Sequence, residues 1–186
     1  MICLILLVFS FFSVQSLENI IGRGSYRVTN LQQCEGYEQH LFNLDLHRRK
    51  MNRTHDGFNG VLKIETRLDD SYGIEIKVCK FVDGGCKPFT VLKDESFTKF
   101  VEYHIGKNVE KILSAAGVEP ARFPIEPCEK KITGYLFSYE ELPHAGLYGS
   151  FHCHTTVLQR NGDDNEVVGC LDVTFEFKAN NDIKII

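Results

Sequence analysis

Apolar and polar residues alternate with a period of two along most of this chain, which limits it to a fold built from strands. Phe58, Leu62, Ile64 and Leu68 share one parity, while Lys63, Glu65 and Arg67 share the other. Tyr72, Ile74, Ile76 and Val78 alternate with Glu75 and Lys77, and Tyr135, Phe137 and Tyr139 fall together. Leu147, Phe151 and Val157 make a fourth run. A fifth places Val167, Leu171, Val173, Phe175 and Phe177 opposite Asp172, Thr174 and Glu176. Successive side chains of a strand point to opposite faces, so each run marks a strand with one dry and one wet face. Asp69-Asp70-Ser71, Asp83-Gly84-Gly85 and Asn161-Gly162-Asp163 supply turns between them. Several short strands with regular turns predict an antiparallel two-sheet sandwich or a barrel.

One segment departs from the alternation. From Asp94 to Ala116, Phe97, Phe100, Val101, Ile105, Val109, Ile112, Leu113 and Ala116 follow steps of three and four, one stripe of a helix. Asp94 or Ser96 can cap its start, and Gly117 can close its end. The spacing predicts one amphipathic helix at about residues 95–116, with its stripe resting on the strands. Pro120, Pro124 and Pro127 then mark a loop. With no internal repeat or linker, the chain reads as one domain.

Met1 to Ser16 carries no charged side chain and is apolar from Ile2 to Phe12. That run is short of the roughly 20 residues needed to cross a bilayer. It reads as a secretory signal peptide cut near Leu17, although it lacks an initial Lys or Arg. Residues 17–186 are then the mature domain, expected to be secreted and extracellular. Of seven cysteines in 186 residues, Cys3 leaves with the leader. Cys34, Cys79, Cys86, Cys128, Cys153 and Cys170 remain, an even number suited to three disulfides in an oxidising compartment. Asn52-Arg53-Thr54 is the one Asn-X-Ser/Thr sequon, so Asn52 is the expected glycosylation site. With 21 Lys+Arg against 25 Asp+Glu, a sequence-wide basic surface for nucleic acid or anionic lipid is excluded.

Catalytic signals are sparse. On a strand, His152 and His154 point the same way, with Asp172 or Glu176 available beside them. Ser150 and Thr156 share that parity, so the pattern reads as a wet face carrying two histidines, and no metal is assigned. No Gly-X-Ser-X-Gly elbow is present, and disulfide formation removes the thiols a cysteine mechanism needs. Glu140 and Glu141 are adjacent and face opposite sides of a strand, so they cannot act on one substrate. Gly22-Arg23-Gly24 lacks the remainder of a phosphate loop. The basic run from His47 to Arg53 reads as a solvated loop. The expectation is a protein that is not an enzyme and needs no cofactor.

A strand ends near Cys79 and a Gly-Gly turn follows, so Cys79 and Cys86 can close a short hairpin loop. The segment from Ile74 through Cys86 resembles the ganglioside activator proteins and their relatives in the lipid-recognition superfamily. Cys34 within Asn30–Gly36, the helical segment from Phe97 to Ile105, Pro127-Cys128, Gly134-Tyr135, Leu142-Pro143, Gly146-Leu147-Tyr148 and Val168-Gly169-Cys170 follow in the family's order. Gly57-Phe58-Asn59-Gly60 and the Asp69-Asp70 turn also resemble the insect chemosensory branch, which implies a role in contact pheromone perception. The resemblance implies a bridge from Cys34 to Cys170. It leaves Cys128 and Cys153 as the third pair, for which the family offers no counterpart. Strand parity bears on the alternatives. A two-residue turn at Asn161-Gly162 would set Cys153 opposite Cys170 but also Phe151 opposite Asp172, mixing dry and wet on one face. A shift by one residue restores Phe151 beside Leu171 or Val173 and separates the two cysteines.

The same resemblance implies a two-sheet β-cup, splayed at one end around an apolar cavity for a lipid or other hydrophobic small molecule. Phe58, Leu62, Ile64, Ile76, Phe137, Phe151, Val173 and Phe175 are the expected lining, with Phe97, Phe100, Val101 and Ile105 of the helix near the mouth. Every one of these residues also suits an ordinary filled core. The alternative function is therefore an extracellular interaction module that meets a receptor or enzyme. A membrane surface is a further expected partner.

Overall fold

The computed structural model describes residues 20–36, 40–50, 56–139, 142–161 and 164–179. Among these the alternating runs become nine strands: β1 Ile21–Gln33, β2 Phe42–Lys50, β3 Asp56–Ile64, β4 Gly73–Val82, β5 Gly85–Asp94, β6 Cys128–Leu136, β7 Ala145–Leu147, β8 Gly149–Asn161 and β9 Asp164–Ala179. One helix, α1 (Phe97–Ala115), lies between β5 and β6. Met1 to Ser16, Asn52 and the Glu140-Glu141 pair lie outside the described residues.

The strands run in the order β5-β4-β8-β9-β2-β3-β6, with β1 against β9 and β7. Every strand pairing is antiparallel except one, a single parallel pair between Phe42 of β2 and Gly169 of β9. That thin join divides the strands into two blocks, β7-β1-β9-β8-β4-β5 and β2-β3-β6. Each turns its apolar parity toward the other. Val28, Val157 and Val168 of the first block share one core with Phe42, Leu46, Phe58, Leu62, Ile64, Ile132 and Tyr135 of the second. The join needs glycine, because a Cβ at position 169 would come within 2.9 Å of the Phe42 carbonyl oxygen.

Helix α1 obeys its sequence signals at both ends. The Lys99 amide donates to Ser96 Oγ, and the Ser96 amide donates to Asp94 Oδ1. At the far end Gly117 takes φ +68, while the Val118 amide donates to Leu113 O and the Gly117 amide to Ser114 O. Val109 and Leu113 are buried in the core, and Phe97, Val101, Ile105 and Ile112 pack against it. The stripe is not one straight helix, because Ile105 leaves helical geometry at φ −142, ψ 32 just before Gly106. Buried Asn108 pins the second half: its Nδ2 donates to Ser138 O and its Oδ1 accepts from the Ser138 amide.

Two disulfides form where three were expected. Cys34–Cys170 closes the end of β1 onto β9, and Cys79–Cys86 staples the β4–β5 hairpin. Cys128 and Cys153 remain thiols. The reason is their placement: Cys153 sits mid-strand in β8 between Val78 and Val173, while Cys128 opens β6 opposite Ile64 in the other block. The β8–β9 ladder pairs Asn161 with Asp164 and Phe151 with Phe175, with a bulge at Val157/Leu158. Phe151 therefore opposes neither Asp172, Leu171 nor Val173, although Cys153 and Cys170 do face opposite sides. The basic run is also corrected, since His47 to Lys50 continue β2 instead of forming a loop.

The two bridges differ in the chain they enclose, 136 residues apart against 7. Chain-entropy reasoning assigns them about 5 and about 2 kcal/mol respectively. We expect the double variant Cys34→Ala/Cys170→Ala to lose substantially more denaturant stability than Cys79→Ala/Cys86→Ala; equal losses would contradict the role of the long closure.

Candidate functional site: the two faces of β4, β5 and β8

Paired residues share a face, so the ladders assign every side chain of the larger block to one side. Leu31, Val173, Cys153, Val78 and Thr90 form one row across β1, β9, β8, β4 and β5. Gln33, Leu171, Thr155, Ile76 and Leu92 form the next, and Val28, Phe175, Phe151 and Lys80 another. Val28, Leu31 and Val173 pack into the core, which identifies this as the inner face.

Cover on that face is uneven. Near the join, Ile74 and Val157 are only 2% and 8% exposed. Farther along β4, Ile76 and Val78 are half-buried, and Leu92 of β5 is 45% exposed. Phe89, displaced from the ladder by a bulge, is 55% exposed, with its ring 5.9 Å from that of Phe151. Beyond lies an aromatic wall. Phe151 stacks on Phe175 at 5.3 Å, Tyr26 meets Phe177 at 4.6 Å, and Tyr148 stacks on Phe177 at 5.6 Å. The result is an apolar floor, walled at one end and open toward β5. Cys153 lies within it, and burial pushes its thiol up to about 11, as a dry surrounding should.

The outer face has different chemistry. His154 Nδ1 lies 2.9 Å from Asp172 Oδ1, His152 Nε2 lies 3.4 Å from the same oxygen, and His152 Nδ1 lies 3.3 Å from Thr174 Oγ1. Of the two acids the sequence offered beside the histidines, Asp172 takes that place, while Glu176 accepts from Ser150 Oγ instead. A shallow groove of about 460 Å³ runs past His152 and His154 along β4 and the β5 edge, lined there by Lys77 to Cys79 and by Pro88 to Val91. A hydroxyl, an imidazole and a carboxylate are assembled here without an oxyanion-binding pair of amides, because β8 and β9 are laddered on both sides. Cys34, His154 and Cys170 also converge, yet both sulfurs belong to the disulfide and offer no thiolate to a metal. A second groove of about 440 Å³ opens at the break in α1, between Glu102, Gly106 and Glu110 on the helix and Pro120 and Arg122 on the loop after it.

The residues expected to line a cavity separate into three places. Phe58, Leu62 and Ile64 are buried in the shared core, with Phe97, Val101, Ile105, Phe137 and Val173 packed against them. Ile76 and Phe175, both half-buried, belong to the open floor, while Phe151 is buried at its walled end, 4% exposed. Phe100 is half-buried on α1 beside the His104 ring at 4.4 Å. Sequence reasoning missed Leu92, Phe89 and Thr90, because β5 is exposed on both faces and carries no alternation to read.

The raised Cys153 thiol gives a pH signature. In the unfolded chain this thiol ionises near 9.0, while in the fold it holds its proton to about 11. Stability therefore falls as pH rises through this window, since the unfolded state binds fewer protons. We expect Cys153→Val to flatten that decline in denaturant titrations; an unchanged slope would place Cys153 in water. No family model matches the chain, and no curated protein matches its sequence.

Proposed function

We propose that this chain is a secreted, non-enzymatic carrier that holds a lipid or other long-chain hydrophobic ligand against the inner face of β4, β5 and β8. The observation that carries this reading is the incomplete cover of that face. Ile76, Val78, Leu92 and Phe89 continue the dry parity beyond the packed core yet keep substantial contact with water. A contiguous apolar surface of this kind marks a binding site more often than a structural accident. An alkyl chain laid along it gains about 0.8 kcal/mol for each methylene buried, so few polar contacts are needed.

Other observations point the same way. The apolar leader and the two disulfides fit an extracellular setting. Among the described residues no helix is long and apolar enough to cross a membrane. The resemblance to the lipid-recognition superfamily supports a ligand between strands, and its chemosensory branch suggests pheromone perception as one use. The ligand-contacting set then narrows to Ile76, Val78, Phe89, Leu92 and Phe175, with buried Phe151 behind them. Phe58, Leu62 and Ile64 serve as core. The filling of that half by packed side chains is what favours the second reading, an interaction module acting on a receptor or enzyme.

Protein from a eukaryotic secretory host should carry co-purifying lipid in native mass spectrometry and bind a fluorescent fatty-acid probe. Leu92→Asp and Val78→Asp are each expected to weaken the probe at least about tenfold, the equivalent of roughly two buried methylenes. A ligand-free protein that also ignores the probe would support the interaction module instead.

A further inference from the structure

The β4–β5 hairpin carries a second feature that the ligand floor does not use. Phe81 and Val82 at its tip, and Val91 along β5, are between 44% and 53% exposed. Val91 pairs with Lys77 on the outer face, and Phe81 pairs with Cys86, so apolar groups project from the hairpin on the side away from the floor as well. The Cys79–Cys86 bridge holds the strands together just behind the tip. A rigid projection with apolar residues at its end loses little conformational freedom when it inserts into another phase.

The charge around it is one-sided. Between positions 77 and 93 stand Lys77, Lys80, Lys87 and Lys93 against the single acid Asp83, in a chain whose net charge is −4. Lys77 and Lys93 both pair with Glu75, farther from the tip, and hold its carboxyl below the usual range. Lys80 and Lys87 oppose each other directly across the ladder without a carboxylate partner among the described residues, and Lys80 Nζ stands 5.6 Å over the Phe151 ring. Like charges directly opposite destabilise a strand pair, a cost that an anionic layer would relieve. Their long stems can lie along apolar surface while the ammonium groups reach headgroups.

Edge pairing is disfavoured at the same place. Pro88 lacks an N–H, Phe89 sits in a bulge, and Lys87 and Lys93 flank the edge; each feature discourages addition of another strand. The hairpin therefore offers side chains for contact more than backbone.

We propose that the β4–β5 hairpin docks on a bilayer surface bearing anionic headgroups, inserting Phe81 and Val82 with Lys80 and Lys87 seated at the phosphate and carboxylate level. This goes beyond the ligand reading and does not require it. The test is co-sedimentation with vesicles of phosphatidylcholine alone and with vesicles in which phosphatidylserine replaces a third of it. The protein should bind the mixed vesicles in preference, and added salt should weaken that binding. Phe81→Ser/Val82→Ser should lose binding to them, and Lys80→Glu/Lys87→Glu should lower it at least about tenfold. Phe81, Val82 and Lys87 are exposed and Lys80 is half-buried over the Phe151 ring, so unchanged thermal melting is required of both variants, and Lys87→Glu alone should still weaken binding to the mixed vesicles. Leu92→Asp, aimed at the ligand floor, should keep vesicle binding even where it loses the fatty-acid probe, so the two readings fail separately. Absence of vesicle binding, or binding that ignores both tip variants, overturns the proposal. So does self-association in lipid-free buffer that the tip variants abolish, which would make a second copy of the chain the occupant.

Discussion

The molecule depends on the corner at Gly169 and Cys170. Among the described residues one parallel pair, Phe42 with Gly169, is the backbone join between the two blocks of strands, and a Gln33 Nε2 to Asn43 Oδ1 hydrogen bond links β1 to β2 beside it. The adjacent Cys170 ties β9 to the end of β1 through Cys34. Because the chain turns from one block to the other here, the apolar faces are brought over each other, and Val28, Val168 and Phe42 meet in one core. A side chain at 169 would clash with the β2 backbone. Along β4 burial is deepest beside this corner, at Ile74, and decreases through Ile76 and Val78 toward the hairpin tip.

That gradient links the fold to the proposed site. The β2-β3-β6 block lies against β1 and β9 while α1 packs on β6 and the start of β4, leaving the farther inner side of β4, β5 and β8 under-covered. An apolar floor exposed in this way is costly in water and favourable to an apolar guest. The outer side of the same strands carries His152, His154 and Asp172 together with lysines. One sector thus presents a dry side, a polar side and an apolar tip.

Much of this organisation was legible in the sequence, and the gaps have physical causes. Strands β3, β4, β8 and β9 each have one dry and one wet face, so parity exposes them. The helix was readable from steps of three and four, and Ser96 and Gly117 marked its ends. Its break at Ile105 was hidden, because the apolar spacing continues across it. The edge strand β5 escaped because water reaches both its faces, and Pro88 argues against a strand. In β1, Gly22, Gly24 and scattered polar residues blur the alternation, while β2 ends in a basic run that resembles a loop. Cysteine parity separated Cys153 from Cys170, but an even count wrongly suggested that every remaining thiol would pair. Of the expected lining, Phe58, Leu62 and Ile64 share parity with Ile76, and only the tertiary cover distinguishes core from open floor.

In the proposed carrier the uncovered part of the inner face, and not the packed half of the molecule, receives the ligand. Photo-crosslinking with a diazirine-bearing fatty acid, followed by peptide mapping, tests it directly. The label is expected on β4 and β5, at Ile76, Val78, Phe89 or Leu92. Label concentrated on Phe58, Leu62 or Ile64, or crosslinking indifferent to competing unlabelled fatty acid, would contradict it.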